Sequence, residues 1–570
     1  MTQLQPSPER PAFRSIRVRA ESGNPETEAV SAILLDRLAE RCKLESTAEG
    51  AILTLELSIA EGPGTEGFRI ERPESGTVRI VGNDARGLLY GVGHVLHHAD
   101  YVSDGIVPDD WTGESVPQGK VRGMYLASHF FNWYHVAPRA DVVRYLEDLA
   151  LWGVNSIVLV FPIINLNGWD DPETDKSFSQ IRSMFLAAKQ LGLDVGILVC
   201  PNQDFKTPVE AFRAVPNPDP LGRRGNHGNN ICPSAPGARE YILGNMREML
   251  RRVSDIELDY FCSWPYDEGG CACERCRPWG ARGFLELSKD IVDLARGFYP
   301  SIRVVLSTWM FDTPPEGEWE GLEQSLSRQN RWVDYILADS HEDFPRFPLE
   351  RGVPGGVPLL NFPEISMWGL YPWGGYGATP LPNRFQKLWD QAKTVVSGGF
   401  PYSEGIYEDI NKVVISQFYW ESERTAEQTL HAYVGYEYSC RPDIRRDILS
   451  IIRMIEQNHV LAASGEKADA ALAERAWNLA RKADAELDRR TRLSWRWRLL
   501  YLRTLLDKER YGALSETDWP WPQQRNWGEV LEGNARAEEA MREIVGLFHA
   551  MPVDDGSSAQ HRHVRPPLYS

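Results

Sequence analysis

The chain lacks the features that would tie it to a membrane. No run approaches the ~18 consecutive apolar residues a bilayer-spanning helix needs. No apolar core follows Met1 in MTQLQPSPERPAFRSIRVRAES, so no secretory signal is read there. It also lacks any excess of basic charge. Eighty acidic against 62 basic residues leave a net charge of −18, which repels polyanions, so neither nucleic acid nor a membrane surface is an expected partner. There is no G-x-S-x-G elbow and no cluster of His and Asp, which disfavours an esterase and a metal-dependent deacetylase. Internal repeats are missing too. A cytoplasmic location is the simplest expectation.

What is present begins with size. A chain of 570 residues is enough for about three domains. Its 19 Trp and 21 Tyr exceed the ordinary needs of packing, and flat rings with polar tips suit sugar faces and hydroxyls. Residues 14–115 read as an α+β unit: short alternating strands (RSIRVRA, AILTLELSI, GFRIERP, GTVRIVG) and amphipathic helices over about 25–42 and 85–97. A Gly/Pro/Asp-rich linker follows. From 425 to 550 the pattern is helical, and 551–570 reads as a tail.

Between these, residues 121–424 alternate strands with helices, the signature of parallel βα units. The strand candidates are RGMYLA, NSIVLVF, DVGILVC, LDYFCS, IRVVLST, VDYILAD, VPLLNFP and GGFPYSE. Eight such strands predict an α/β fold, a (β/α)8 TIM barrel preceded by a small α+β domain and followed by a helical C-terminal region. An open doubly wound sheet is the alternative, but no Gly-rich phosphate loop follows the first strand.

Reacting groups of such barrels sit at the carboxyl ends of the strands. The fourth strand runs into SWPYDEGG, where Asp267 and Glu268 stand beside Trp264 and Tyr266. A glycosidic bond breaks when an acid protonates the leaving oxygen and a second group stabilises the oxocarbenium-like state. Aromatic neighbours that desolvate Glu268 would raise its pKa and make it that acid. A surface turn with a chance Asp-Glu is the plain alternative. The first strand begins with Arg122 and leads to His129, and the fifth leads to Trp309 and Asp312. The sixth adds Asp339 and His341, and the seventh Glu364, Trp368 and Trp373. The eighth supplies Tyr402, Glu404 and Glu408. Arg122, His129, Trp264, Trp309, Glu364, Trp368, Trp373, Tyr402 and Glu404 are the expected substrate contacts.

Cys271, Cys273 and Cys276 form C-x-C-x-x-C just past the acidic pair, with Cys232 and Cys262 as plausible neighbours. Two readings stay open: a structural zinc, because thiolates at this spacing chelate well, or reduced structural thiols, which a cytosolic protein tolerates. Catalysis itself requires no cofactor.

Together these residues resemble a known group. RGMYLASHFF is similar to the first barrel strand of the family 20 β-N-acetylhexosaminidases, roughly R-G-x-x-L-D-x-x-R-H-F. RIVGNDARGLLYGVGHVL resembles the domain before the barrel in those enzymes and in α-glucuronidases, and Asp267–Glu268 looks like their strand-four pair. The likeness spans about residues 30–310. It implies that Glu268 is the general acid/base, that Asp267 orients a 2-acetamido group, and that Arg122 grips sugar hydroxyls. Ala127 and Ser128 depart from the motif's Asp and Arg, and EGIYEDINKVVISQFYW looks more like the large family-20-like and α-glucuronidase-like relatives than a standard hexosaminidase. The expected function is therefore an exo-acting glycosidase, retaining and substrate-assisted, acting on a small or oligosaccharide substrate. The alternatives are an inverting, α-glucuronidase-like enzyme with Glu364, Glu404 or Glu408 as base, and an inactive carbohydrate-binding barrel. A homodimer is left open.

Overall fold

The computed structural model describes residues 12–21, 23–42, 52–102, 105–128, 133–216, 229–266, 270–326, 331–341, 343–365, 378–463, 467–513 and 533–548. Contacts divide the chain into two compact units. The first comprises Met1–Gln118, Glu147–Gly153 and Glu423–Leu514, and the second Gly119–Leu146, Val154–Ser422 and Ser515–Ser570.

In the first unit, strands β1 (Ser15–Ala20), β2 (Ile52–Ile59), β3 (Phe68–Glu71), β4 (Thr77–Gly82) and β7 (Gly113–Ser115) form a sheet ordered β1-β2-β4-β3-β7. A hairpin of β5 (Asp100–Val102) and β6 (Gly105–Val107) lies apart from it. Alternation decides the faces: Leu53, Leu55 and Leu57 of β2 are buried while their neighbours are partly exposed. Helix Pro25–Arg41 starts where Asn24 accepts the amide N–H groups of Glu26 and Thr27, with Pro25 in the first turn. Asp84 caps helix Ala85–His98 in the same way, accepting from the Gly87 amide at 2.8 Å. Helices Ala426–Glu437, Pro442–Ala463, Ala470–Glu486 and Trp495–Ala513 belong to this unit.

The second unit is a closed parallel barrel. Its strands are β8 (Val121–Leu126), β9 (Ser156–Val160), β10 (Asp194–Val199), β11 (Tyr260–Ser263), β12 (Arg303–Ser307), β13 (Tyr335–Asp339), β14 (Leu359–Phe362) and β15 (Val396–Gly399), with β16 (Tyr402–Ser403) as a short continuation. They pair in sequence order, and β15 and β16 both return to β8, with Gly398 opposite Val121 and Tyr402 opposite Tyr125. Runs such as SIVLV and RVVLS are apolar on both faces because helices cover one side and the barrel interior the other. The eighth strand is interrupted at Phe400–Pro401, where Pro401 can donate no ladder hydrogen bond. Gly398 makes the closure possible. Its φ is 121°, and a Cβ there would lie 1.8 Å from the Val121 carbonyl oxygen. No helix among the described residues is long and apolar enough to cross a membrane.

Candidate active site

Side-chain direction along β8 decides what reaches the barrel interior. Tyr125 points inward, its ring 5.2 Å from Tyr402, 5.9 Å from Phe362 and 6.1 Å from Trp264. At Gly123, two residues earlier on the same face, a Cβ would run into the Phe400 ring and Ser156. Arg122 has the opposite parity and turns toward the helix layer. There its guanidinium donates to the Gly119 carbonyl at 2.8 Å and lies 5.2 Å from the Trp420 ring. Arg122 is thus a buried cation near the amino end of its strand, away from the carboxyl-end aromatics.

At the carboxyl end, successive strands deliver aromatic rings into one cluster. Trp264 directly follows β11, and its amide extends the ladder to the Val199 carbonyl at 2.9 Å. Trp309 follows β12 on a turn whose next residue, Met310, has a φ of 65°, a left-handed value that an ordinary side chain adopts only when its surroundings dictate it. The two indoles stack at 5.5 Å, and Phe362, the last residue of β14, meets Trp264 at 4.7 Å and Trp309 at 5.8 Å. Trp309 is 7% exposed, and its indole N–H has no hydrogen-bond partner among the described residues. A buried donor left open costs about 1–3 kcal/mol unless something accepts from it.

Carboxyl groups rim this aromatic floor. Asp339 ends β13 and accepts the His341 amide at 3.0 Å. Burial pushes its carboxyl up to about 7, with His341 opposing and Glu364 and Asp312 adding to the rise. Burial also raises Asp312, although the Trp319 indole N–H donates to it at 3.2 Å. Glu364 stands 2.5 Å from His341 Nδ1 and pairs by a backbone bridge with Tyr402. The Tyr402 hydroxyl donates to Glu404 at 2.8 Å. Glu408 is different: it accepts from the Ser403 hydroxyl at 2.6 Å and from the amides of Glu404 and Gly405 at 2.8 and 3.1 Å. Lys412, also fully buried, lies 3.8 Å from it and donates to the Tyr134 and Tyr145 hydroxyls. Enclosed this way, Glu408 holds the β16 loop in shape.

The loop carrying the acidic pair is anchored at both ends. On the near side the Trp279 indole donates to the Pro265 carbonyl at 2.6 Å, and the Tyr266 hydroxyl donates to Glu318. On the far side Asn202 accepts from the Gly270 amide at 2.9 Å and donates to its carbonyl at 2.8 Å. Asp267 and Glu268 lie between these anchors, outside the described residues, as do His129, Trp368 and Trp373. Beyond Gly270, Cys271, Cys273 and Cys276 gather with Cys232, all four sulfurs within 4.8 Å of one another.

Of the expected contacts, Trp264, Trp309, Glu364, Tyr402 and Glu404 converge at one end of the barrel. Tyr125 and Phe362 were not singled out from the sequence. Each occupies an inward position at or next to the last residue of its strand, and that parity is the signal that could have found them.

No protein-family model and no curated protein matches the chain. Solved structures do. A family 115 4-O-methyl-α-glucuronidase with specificity for decorated arabinogalactans is 11% identical, with a TM-score of 0.61 over 97% of this chain and 78% of that one. A family 138 enzyme targeting pectin rhamnogalacturonan II is 10% identical, with a TM-score of 0.54 over 97% and 95%. A family 20 β-N-acetylhexosaminidase from Streptomyces coelicolor matches at 14% identity, with a TM-score of 0.48 over 75% and 92%. At these identities the first two likenesses show a shared fold.

Proposed function

We propose that the chain is an exo-acting glycoside hydrolase. The observation that carries this reading is the aromatic floor of Tyr125, Trp264, Trp309, Phe362 and Tyr402, rimmed by Asp339, Glu364 and Glu404, with the open Trp309 N–H among them. Rings bind the apolar face of a pyranose, and carboxyl groups and an indole N–H complement its hydroxyls. The same fold in enzymes named for glucuronide and rhamnogalacturonan substrates is supporting analogy.

The preferred chemistry is retaining and substrate-assisted. Glu268 protonates the glycosidic oxygen as the bond to the anomeric carbon breaks. The substrate's acetamido oxygen attacks that carbon, held in place by Asp267, and water then opens the cyclic intermediate with Glu268 as base. The inverting alternative has Glu364, Glu404 and Glu408 as candidate bases, of which Glu408 is the most enclosed. Acids at the site also disfavour a uronate, whose own carboxylate they would repel. One described cation lies nearby: Arg384, which donates to the His341 carbonyl.

Hydrolysis by carboxyl groups needs no cofactor. A small or oligosaccharide substrate in a reducing cytoplasm fits the eight free thiols, and a homodimer remains compatible with this function. A panel of aryl glycosides, with product stereochemistry followed by NMR, tests the proposal. Hydrolysis of an aryl β-N-acetylhexosaminide with retention is the expected result. Inversion on another glycoside would replace the mechanism, and sugar binding without turnover on any member of the panel would leave a binding protein.

A further inference from the structure

The four clustered cysteines come from two loops at the carboxyl end of adjacent strands. Cys232 lies on the loop after β10, and Cys271, Cys273 and Cys276 lie on the loop after β11. None of the chain's eight cysteines is in a disulfide. The spacing of the sulfurs is informative. Four sulfurs each ~2.3 Å from a tetrahedral centre stand about 3.8 Å apart. Cys232 Sγ is 3.7 Å from Cys273 Sγ and 3.9 Å from Cys276 Sγ. Thiols packed only as small apolar groups have no reason to converge four at a time at that distance.

The backbone around them is arranged for thiolates. The Ser234 amide is directed at the Cys232 sulfur, and the Cys273 amide at the Cys271 sulfur. The Cys276 amide closes a turn onto the Cys273 carbonyl at 3.1 Å, so that C-x-x-C presents both sulfurs to one side. N–H groups aimed at sulfur are the outer support that holds ligating groups in place and offsets their charge.

We propose that Cys232, Cys271, Cys273 and Cys276 bind one structural zinc ion, which ties the loop after β10 to the loop bearing Asp267 and Glu268. All four positions are filled by sulfur, so the site is closed, with no room for a reacting water. Asn202 makes a second tie between the same loops, donating to the Ile231 and Gly270 carbonyls. Metal at Cys271 and amide at Gly270 together fix the far end of the acidic loop two to three residues beyond Glu268. The assignment goes beyond the proposed hydrolase and stands whether or not the chain cleaves sugars.

The test uses the full chain, produced with zinc in the medium and purified without chelator. Elemental analysis should give about one zinc per chain, falling below a tenth of that in a Cys232→Ser/Cys276→Ser double variant. The wild type decides the matter if that variant does not fold. After the zinc is stripped, added Co²⁺ should produce sulfur-to-cobalt charge-transfer absorption and the intense visible bands of a tetrahedral thiolate site. Stripping should also lower the melting temperature and speed hydrogen exchange in peptides covering 229–240 and 264–283. Wild-type protein without zinc and without those cobalt bands overturns the proposal. So does a folded double variant that keeps its full zinc.

Discussion

His341 and Glu364 face each other across neighbouring strands at the barrel mouth, ring Nδ1 to carboxylate Oε2 at 2.5 Å. The contact ties the end of β13 to the end of β14. Trp309 packs edge-on against the same imidazole, 6.0 Å between centroids. Glu364 therefore shares its position with a histidine that also borders the aromatic floor. A substrate resting on Trp309 would meet both.

Glu268→Gln should abolish nearly all turnover of an aryl glycoside with a poor leaving group while leaving sugar binding intact. The loss should be several orders of magnitude there and smaller with a good leaving group, because acid help matters less. Steady-state rates on a pair of such substrates measure it, and near wild-type rates on both would sink the assignment.

Asp267→Asn reads the mechanism. With an acetamide nucleophile, activity on N-acetyl sugars should fall far more than on sugars bearing a plain 2-hydroxyl. Equal losses favour inversion.

Trp309→Ala should weaken sugar or inhibitor binding by ~1–3 kcal/mol, the scale of a buried aromatic contact and its lost donor. Calorimetric titration gives the number. Trp264→Ala should behave similarly, since the two indoles stack. Unchanged affinity in both would move the sugar site elsewhere.

Asp339 adds a pH dependence with a definite sign. Its folded pKa of about 7 lies above the ~3.9 of an unfolded aspartate, so the folded state holds the proton more tightly. The stability this contributes is complete below ~3.9 and is lost as pH rises through about 7. Asp339→Asn, which stays neutral, should therefore show a flatter melting temperature from about pH 5 to about pH 8 than the wild type. Parallel curves would mean that Asp339 is ionised throughout.

Lys412→Met leaves Glu408 buried without its cation and should cost ~3–5 kcal/mol by denaturant unfolding. Adding Glu408→Gln should recover part of that loss, because the two groups are coupled. Additive losses would show that the pair is not the unit that holds the β16 loop.

Much of this was legible before any coordinates. Eight apolar segments at regular spacing can satisfy their faces only as parallel strands under helices, and the rule that chemistry lies at strand ends brought out Trp264, Trp309, Glu364 and Tyr402. Arg122 was singled out by motif likeness, which says nothing of parity. Tyr125 at the inward register puts Arg122 on the outer face, and that follows only once strand pairing is known. Glu408 was one of three candidate bases by its place after the eighth strand. Lys412, one helical turn on, and Ser403 lie against it, and the fold buries all three.

What the sequence determined by itself is local: period, capping, chain order, and the C-x-C-x-x-C that any fold would keep together. What the tertiary structure decided is the set of distant meetings. Cys232 joins three cysteines about 40 residues away, His341 reaches Glu364 across a loop, and five rings from five strands share one floor. Local pattern cannot specify these, because each depends on strand register and on the closure of β15 onto β8, a contact between the two ends of the barrel.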